Sequence, residues 1–338
     1  MKYKHIVLAR HGGSEVLQFV EDELPEPESG EVRVKILATS VAYTDVLVRE
    51  GLYPGIPKPP FSPGYELVGV VDKLGTGITD LHAGQRVAAL TVVGSYSEYL
   101  CLPATELVPV PETVDPQEAV CLILQYVTAY QLLHRLAQVK SGDRLLVHGA
   151  TGGVGTALLQ LGKLAALEMY GTAPTTQQSL VAQLGAVPID YQREDFVTRI
   201  QALTQNGMDV VLDAIGGLHL IRSYKILCNG GRLINYGFRS AMNSKQGRLL
   251  KLGFNFVVLT LLQWLRSDRH VRFYSITQLK QQHPDWFRED LITLFDLLHT
   301  GKIKPIICDR LPLAEAAKAH RLLETSTVGG QYVLICNE

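Results

Sequence analysis

A glycine-rich stretch, "GATGGVG" (residues 149–155), contains residue types that can bind phosphate groups. It matches the pattern A-x-G-x-x-G, with Ala150, Gly152 and Gly155 at the three fingerprint positions. Glycine lets the backbone approach a phosphate and lets a helix pack closely on a strand. The first position requires a small residue, so alanine is tolerated if its φ stays negative. The stretch predicts a dinucleotide-binding turn; the alternative is a tight turn in some other α/β protein.

The segments around this turn predict the elements that would position it. "DRLLVHGA" before it is an apolar strand, and "VGTALLQLGKLAAL" after it is a helix whose N-terminal N–H groups can bind a pyrophosphate. Strands and helices keep alternating through "GRLINYGF", which predicts a doubly wound parallel sheet in an α/β fold. Residues 32–101 consist of short β-rich runs separated by Gly and Pro, which indicates a second, mostly β domain.

Bulk properties restrict the class of protein. A chain of 338 residues is long for one core and predicts two domains. A net charge of −1 shows no excess of basic residues that would indicate binding to nucleic acid. Five scattered cysteines suggest neither a disulfide framework nor a cysteine zinc cluster, and favour a reducing, cytoplasmic setting. The N-terminus, "MKYKHIVLARHGG", has too short an apolar run for a signal peptide and predicts a strand entering a turn.

The end of the second predicted strand bears on the choice of coenzyme. An Asp or Glu usually binds the ribose 2′-hydroxyl of NAD there, but the segment reads "GTAPTTQQ". Without a carboxylate a 2′-phosphate is not repelled, and Thr172, Thr175 and Thr176 can donate hydrogen bonds to it. The sequence therefore favours NADPH, with NADH left open.

Further motifs along the chain include "DVLVREGLYP", "PGYELVGVV", "VTAYQLL", "DVVLDAIGG" and "GGRLINYG". Together with the glycine turn, they resemble the medium-chain dehydrogenase/reductase superfamily, specifically its zinc-free quinone oxidoreductase (zeta-crystallin-like) branch. The resemblance covers the whole chain and implies a GroES-like catalytic domain at residues 1–122 and 277–338. It also implies a Rossmann domain at 123–276, an active site in the cleft between the domains, and a homodimer.

Zinc-containing members of this superfamily hold a catalytic ion, and the resemblance places their three ligand positions at Ala42, Tyr65 and near Leu124. None of these side chains is an ordinary zinc ligand, so no metal is expected. Hydride from NADPH would then pass to an acceptor that is already electrophilic, either a quinone or an α,β-unsaturated carbonyl (enone) compound. Such an acceptor needs only a hydrogen bond to its carbonyl and a proton source.

The resemblance also suggests individual site residues. Tyr53 matches a tyrosine implicated as an acid in related enoyl reductases, and Tyr43 and Tyr65 are further candidates; the alternative for each is ordinary packing. The predicted cofactor-binding residues are Thr128, Ala150, Thr151, Gly152, Gly153, Val154, Gly155, Thr172, Gln178, Tyr191, Arg193, Ile215, Gly216, Gly237 and Phe238.

Two departures from the family pattern keep other functions open. Ala42 stands where many quinone reductases have asparagine near the nicotinamide, and Gln178 stands where many have a lysine for the 2′-phosphate. A cofactor-binding protein with a structural or regulatory role is therefore the alternative hypothesis, and a zinc alcohol dehydrogenase is a third. The apolar segment 249–265 is shorter than the roughly 20 residues of a membrane span. It predicts a helix that packs on the core, covers a substrate pocket, joins a dimer or touches lipid.

Overall fold

The computed structural model describes residues 1–242, 247–265, 268–325 and 329–337. The chain divides into two compact units, a terminal unit (Met1–Val127 with Phe287–Glu338) and a central unit (Thr128–Trp286). The domain boundaries implied by the resemblance, after residues 122 and 276, stay a prediction.

The strands of the described residues are short and follow one another along the whole chain. They are β1 (Lys2–Leu8), β2 (Leu17–Glu23), β3 (Glu31–Val41), β4 (Glu66–Leu74), β5 (Arg86–Leu90), β6 (Tyr99–Pro103), β7 (Val108–Pro109), β8 (Arg144–His148), β9 (Glu168–Ala173), β10 (Val187–Asp190), β11 (Met208–Asp213), β12 (Leu227–Asn235), β13 (His270–Phe273), β14 (Ile307–Pro312) and β15 (Gln331–Ile335).

The α-helices lie mainly between the strands of the central unit and near the C-terminus. They are α1 (Tyr43–Arg49), α2 (Pro116–Cys121), α3 (Val127–Tyr130), α4 (Gly153–Leu164), α5 (Gln178–Gln183), α6 (Phe196–Leu203), α7 (His219–Lys225), α8 (Arg239–Met242), α9 (Arg248–Trp264), α10 (Ile276–Gln282), α11 (Pro284–His299) and α12 (Ala316–Thr325).

The central unit contains a parallel sheet with strand order β10-β9-β8-β11-β12-β13. This is the order of a Rossmann fold, in which the chain reverses direction across the sheet between its first and fourth strands. Here β8 and β11 are those strands, and each is buried along most of its length. The predicted doubly wound parallel sheet is confirmed, and its switch point lies beside the glycine-rich turn.

The terminal unit is mostly β, as predicted. Its main sheet runs in the order β14-β15-β3-β4-β5-β7, with β6 paired to β3, and β1 and β2 form a separate antiparallel pair. Apolar side chains on β3 and β4, including Val34, Ile36 and Leu67, are fully buried in its core. Between β3 and β4 of this sheet, Tyr43 begins α1, and Tyr53 and Tyr65 lie in the loop from α1 to β4.

Two features of the structure were not predicted from the sequence. The helical stretch that begins with α2 contains π-helical segments at Leu122–Tyr126 and Gln131–Ala137. In the first segment the Leu124 N–H donates to the Glu66 carboxylate at 2.5 Å, and such an inserted side chain disturbs the helical ladder. The strand β14 was not predicted, because its sequence "ICDRLP" has polar residues in the middle of a short edge strand.

Candidate functional site

The glycine-rich turn connects β8 to α4, and its backbone explains why alanine is tolerated. The left-handed conformation falls on Gly149, whose φ is +75°, whereas Ala150 is not among the residues with positive φ. Ala150 is fully buried, and its N–H donates to the Thr172 carbonyl at 3.0 Å. The position therefore requires a small side chain but no glycine conformation.

Two glycines of the turn differ in the space around them. A Cβ on Gly155 would collide with the Gly149 carbonyl oxygen and would lie 2.7 Å from the Ala150 carbonyl carbon, so α4 packs directly against the turn. A Cβ on Gly152 would meet only the Gly149 carbonyl oxygen, at an ordinary 3.5 Å. Gly152 is also the N-cap of α4 and offers no side chain to cap the helix. The first-turn N–H groups of α4, at Gly153, Val154 and Gly155, thus have no intrahelical acceptor, as a phosphate site requires.

A buried hydrogen-bond network lies beneath this turn. Asp213, the last residue of β11, is fully buried and accepts hydrogen bonds from the N–H groups of Ile215 (2.7 Å) and Gly216 (2.9 Å). Its other oxygen accepts from His219 Nδ1 at 2.8 Å and from the Ser223 hydroxyl at 2.7 Å. Burial alone would raise the pKa of Asp213, but these donors hold it well below its usual range. The group is therefore an ionised carboxylate.

The network continues from Asp213 to the turn. Because Ser223 donates to Asp213, it accepts from His148 Nε2 at 3.2 Å, and His148 Nδ1 accepts from the Thr172 hydroxyl at 3.2 Å. Thr172 in turn accepts from the Gly149 N–H at 3.3 Å. Burial, reinforced by the neighbouring His219, lowers the pKa of His148 to about 3, so the neutral ring can accept at Nδ1. A single chain of hydrogen bonds thus joins the end of β11 to the first residue of the turn.

The same cluster has the residue types of a metal site. The ligand atoms of His148, Asp213 and His219 lie within 4.8 Å of one another. However, the Ser223 Oγ lies among them, 3.4 Å from His219 Nδ1 in addition to its two shorter contacts. A zinc ion would need that space, since its bonds to nitrogen are about 2.0–2.1 Å long. The cluster is a hydrogen-bonded support for the turn, and the expected absence of metal stays a prediction.

Sequence reasoning missed this cluster because its members are far apart along the chain. His148 is only 1 % exposed, and its ring has a structural role in this network. One signal was available: His148 and Asp213 end neighbouring parallel strands, and such ends meet at one edge of the sheet.

The threonines after β9 are engaged differently from the prediction. Thr172 is 4 % exposed and serves the network above, while the Thr175 hydroxyl donates to the Asp190 carboxylate at 2.6 Å. The segment after β9 contains no carboxylate of its own, but the Asp190 carboxylate of β10 lies beside it. Asp190 ends β10 and is paired in register with Ala173 of β9, which brings it to the same sheet edge.

The predicted cofactor-binding residues near the ends of β9 and β10 differ in their exposure and contacts. Tyr191 is 55 % exposed, and the Arg193 side chain, 75 % exposed, has its Nε 3.8 Å from Asp190. Gln178 instead donates from its amide nitrogen to the Ala173 and Pro174 carbonyls at 2.7 and 3.2 Å. In this conformation the Gln178 side chain connects α5 to the end of β9, because its amide nitrogen is hydrogen-bonded to these backbone carbonyls. Thr151, at the turn, donates to Gln177.

Two buried asparagines connect the loops after β11 and β12. Asn235 donates to the carbonyls of Asp213 and Gly237, both at 2.8 Å. Asn255 of α9 accepts from the Gly217 N–H at 2.7 Å and donates to Asn235 at 3.2 Å. The predicted cofactor-lining residues Ile215, Gly216 and Gly237 are thus held by side chains that the sequence did not identify as site residues.

The remaining predicted cofactor residues of the central unit have mixed surroundings. Thr128 is 5 % exposed, and its hydroxyl accepts from Tyr274 at 3.4 Å. The Phe238 ring packs against Phe256 of α9 and Phe273 of β13, with ring centroids 5.6 and 5.4 Å away. These contacts attach the loop after β12 to α9.

In the terminal unit, two of the three candidate tyrosines form a pair. The Tyr53 and Tyr65 hydroxyls are 2.5 Å apart, and their rings meet edge to face with centroids 5.7 Å apart. Tyr65 is fully buried whereas Tyr53 is partly exposed, so the buried phenol orients the accessible one. Tyr43 begins α1 and is 36 % exposed.

Two of the three positions that the resemblance aligns with zinc ligands bind neighbouring acids through their backbone N–H groups. The Ala42 N–H donates to Asp45 at 2.8 Å, and the Leu124 N–H donates to Glu66. Both acids are completely buried. Burial raises the pKa of Asp45 to about 7, and burial together with the Asp45 charge raises the pKa of Glu66 to about 8.

Comparison with known proteins identifies the family. Residues 28–112 match the alcohol dehydrogenase GroES-like domain, and residues 184–334 match the zinc-binding dehydrogenase domain. The chain is 30 % identical to the human synaptic vesicle membrane protein VAT-1 homolog over 316 residues, 92 % of this chain and 80 % of that protein. It is 28 % identical to human quinone oxidoreductase over 330 residues, 96 % of this chain and 95 % of that enzyme. This chain belongs to the medium-chain dehydrogenase/reductase superfamily, in its zinc-free quinone oxidoreductase branch.

A solved structure supports the same assignment. Escherichia coli quinone oxidoreductase complexed with NADPH matches with a TM-score of 0.87 and 28 % identity, over 98 % of this chain and 99 % of that one. As a member of this branch, the protein is an oxidoreductase that uses a nicotinamide cofactor. The glycine turn, with its free helical N–H groups and the open space at Gly152, fits the pyrophosphate of such a cofactor.

The two glycines of the oxidoreductase turn give a matched pair of variants. We expect Gly155→Ala to lower the free energy of unfolding by about 1–3 kcal/mol, because its Cβ overlaps backbone atoms of the turn. Gly152→Ala has room for its Cβ and should unfold like the wild type, but should bind the nicotinamide nucleotide more weakly. Chemical denaturation and nucleotide titration measure the two effects. Equal stability of both variants would contradict the close packing of α4 on the turn.

The buried acids predict a pH dependence of stability. Because the pKa of Glu66 is raised from 4.5 to about 8, the folded chain binds this proton more tightly than the unfolded chain. The free energy of unfolding should therefore fall as the pH rises from about 4.5 to about 8, and level off above that range. Glu66→Gln keeps a similar shape and should reduce this slope, whereas the exposed Glu112→Gln should leave it unchanged. Denaturation at several pH values tests this, and an unaltered slope in Glu66→Gln contradicts it.

Proposed function

We propose that this oxidoreductase uses NADPH to reduce a quinone or an α,β-unsaturated carbonyl compound, without a catalytic metal. The observation that carries the proposal is the Tyr53–Tyr65 hydroxyl pair. Tyr65 stands where zinc-containing relatives have a ligand, and it is hydrogen-bonded to the candidate proton donor. In this proposal, a pair of phenols takes the place of the metal and polarises the carbonyl group of the acceptor.

The proposed coenzyme preference rests on charge. The end of β9 carries no carboxylate of its own, and the exposed Tyr191 and Arg193 follow β10 nearby in the sheet. An arginine and a phenol are suitable partners for a 2′-phosphate. Arg193 lies near Asp190, so the local acid is accompanied by a cation. These residues favour NADPH over NADH.

In the proposed mechanism, the bound coenzyme supplies a hydride from nicotinamide C4. The residues of this chain bind the coenzyme, orient the proton donor and protonate the acceptor. The turn and α4 would hold the pyrophosphate, while Asp213 and Asn255 fix the loop at Ile215–Gly217. Tyr53 donates a hydrogen bond, and then its proton, to the acceptor oxygen, and Tyr65 orients the Tyr53 hydroxyl. Electrophilic acceptors need no stronger activation than this. The expectation of a homodimer rests on the resemblance alone.

The activity itself is tested with a panel of quinones and enones. We expect oxidation of NADPH, faster than of NADH, that survives incubation with a chelator, because the ligand positions hold Ala42, Tyr65 and Leu124. Spectrophotometric rates with the folded, nucleotide-binding protein provide the measurement. Tight NADPH binding without turnover on any acceptor would support a structural or regulatory role instead. Activity that is lost on chelation and restored by zinc would instead indicate a zinc-dependent dehydrogenase.

The role of Tyr53 is tested by Tyr53→Phe. We expect kcat with an enone to fall by about 10²-fold, the usual contribution of a general acid, while the Kd for NADPH is retained. The loss with quinones should be smaller, since they are reduced more easily. Tyr65→Phe should reduce the rate less and shift the pH profile, because Tyr65 acts through Tyr53. Tyr3→Phe, on β1 and outside the tyrosine pair, is the control. Wild-type enone rates in Tyr53→Phe would remove this assignment.

A further inference from the structure

Helix α9 has apolar side chains on two faces, and among the described residues only one of these faces is covered. Its inner face buries Asn255, Val258, Leu259 and Leu262. Its outer face exposes a stripe at alternating spacings of four and three residues: Leu250 (81 % exposed), Phe254 (45 %), Val257 (53 %), Leu261 (59 %) and Trp264 (78 %). At about 100° per residue, these five side chains fall within an arc of about 80°. A helix that packs one face on a core ordinarily has polar residues on the other, so the stripe requires an explanation.

The charge around α9 indicates what covers the stripe. The segment 239–272 contains seven lysine and arginine residues and one acid, Asp268, in a chain whose net charge is −1. Lys251, Arg239 and Arg272 are exposed. A second copy of the chain would bring two strongly basic segments together, and their repulsion opposes that pairing. An anionic surface would be attracted by the same charges.

We propose that the outer face of α9 docks onto a membrane surface containing anionic lipid. The helix would lie in the plane of the interface, with Phe254, Leu261 and Trp264 among the acyl chains and the basic residues at the headgroups. Apolar residues with Trp and Phe, flanked by Lys and Arg, are the composition of such interfacial helices. With 17 residues, α9 is about 25 Å long. Among the described residues, no helix is both long and apolar enough to cross a bilayer, so α9 docks and does not span.

The test is co-sedimentation of the full-length protein with vesicles. Phosphatidylcholine and phosphatidylserine in a roughly 7:3 ratio provide the anionic surface, and phosphatidylcholine alone is the reference. We expect about tenfold more protein on the anionic vesicles, and a decline as salt is added. The double variant Leu261→Glu/Trp264→Glu should lose about tenfold of this binding, because it places charge in the stripe.

A matched control and a spectroscopic readout complete the experiment. Ile292→Glu, on α11, replaces an apolar side chain of similar exposure (44 %) outside the stripe and should bind vesicles like the wild type. The chain has two tryptophans, so Trp286→Phe leaves Trp264 as the only reporter. Its emission should shift to shorter wavelength on anionic vesicles and should be quenched by brominated lipid. Unfolding curves confirm that each variant is folded.

Several results would overturn the proposal. Wild-type protein that stays in the supernatant with anionic vesicles would do so, as would a double variant that binds like the wild type. Without lipid, sedimentation velocity gives the oligomeric state. If the wild type is an oligomer that does not bind vesicles, and the double variant is a monomer, the stripe is an interface between copies of this chain. Trp264 emission that is unchanged by bound vesicles would place the contact elsewhere.

Discussion

The edge of the parallel sheet beside the glycine turn depends on one buried charge, the Asp213 carboxylate at the end of β11. A carboxylate that is fully removed from water is stable only when donors satisfy it, and Asp213 has four, two of them backbone N–H groups of its own loop. From Asp213, hydrogen bonds continue through Ser223, His148 and Thr172 to the Gly149 N–H. The loop after β11 and the glycine turn after β8 are therefore fixed by one connected network. Loss of any member leaves the remaining polar groups buried without full compensation.

In the terminal unit, the pKa values of two buried acids are shifted in the opposite direction. Asp45 and Glu66 are also fully buried, but their donors do not offset desolvation, and their pKa values are raised where that of Asp213 is lowered. In zinc-containing relatives the neighbouring positions belong to a cation site. Here they are Ala42, Tyr65 and Leu124, and the acids bind the backbone N–H groups of two of them. Because none of these three positions has an ordinary zinc-ligand side chain, the hydroxyls of Tyr53 and Tyr65 are the donors that we propose for an acceptor oxygen.

The sequence predicted features whose signals are local. The glycine turn, the alternation of strands and helices, and the tolerance of Ala150 follow from neighbouring residues, and the strand order follows from the family pattern. Contacts made by tertiary structure were not predicted. Asp190 meets Thr175 only because β10 pairs with β9, and His148 meets Ser223 only because β8 lies beside β11. The π-helical turn at Leu122–Tyr126 depends on Glu66, a residue far away in the chain. Spacing along the sequence contains no information about such pairs.

Asn255 shows why α9 could not be interpreted from composition. In the sequence, its amide is a polar interruption of an apolar segment. In the structure it faces inward and binds Gly217 and Asn235, so it interrupts only the covered face and leaves the outer stripe apolar. A Cβ on Gly216 would collide with the Asn255 side chain, which shows how closely the loop after β11 packs on α9. Phe256 adds ring contacts to Phe238 and Phe273. The helix whose outer face is exposed among the described residues is thus the same element that contacts the loops at the switch point of the sheet.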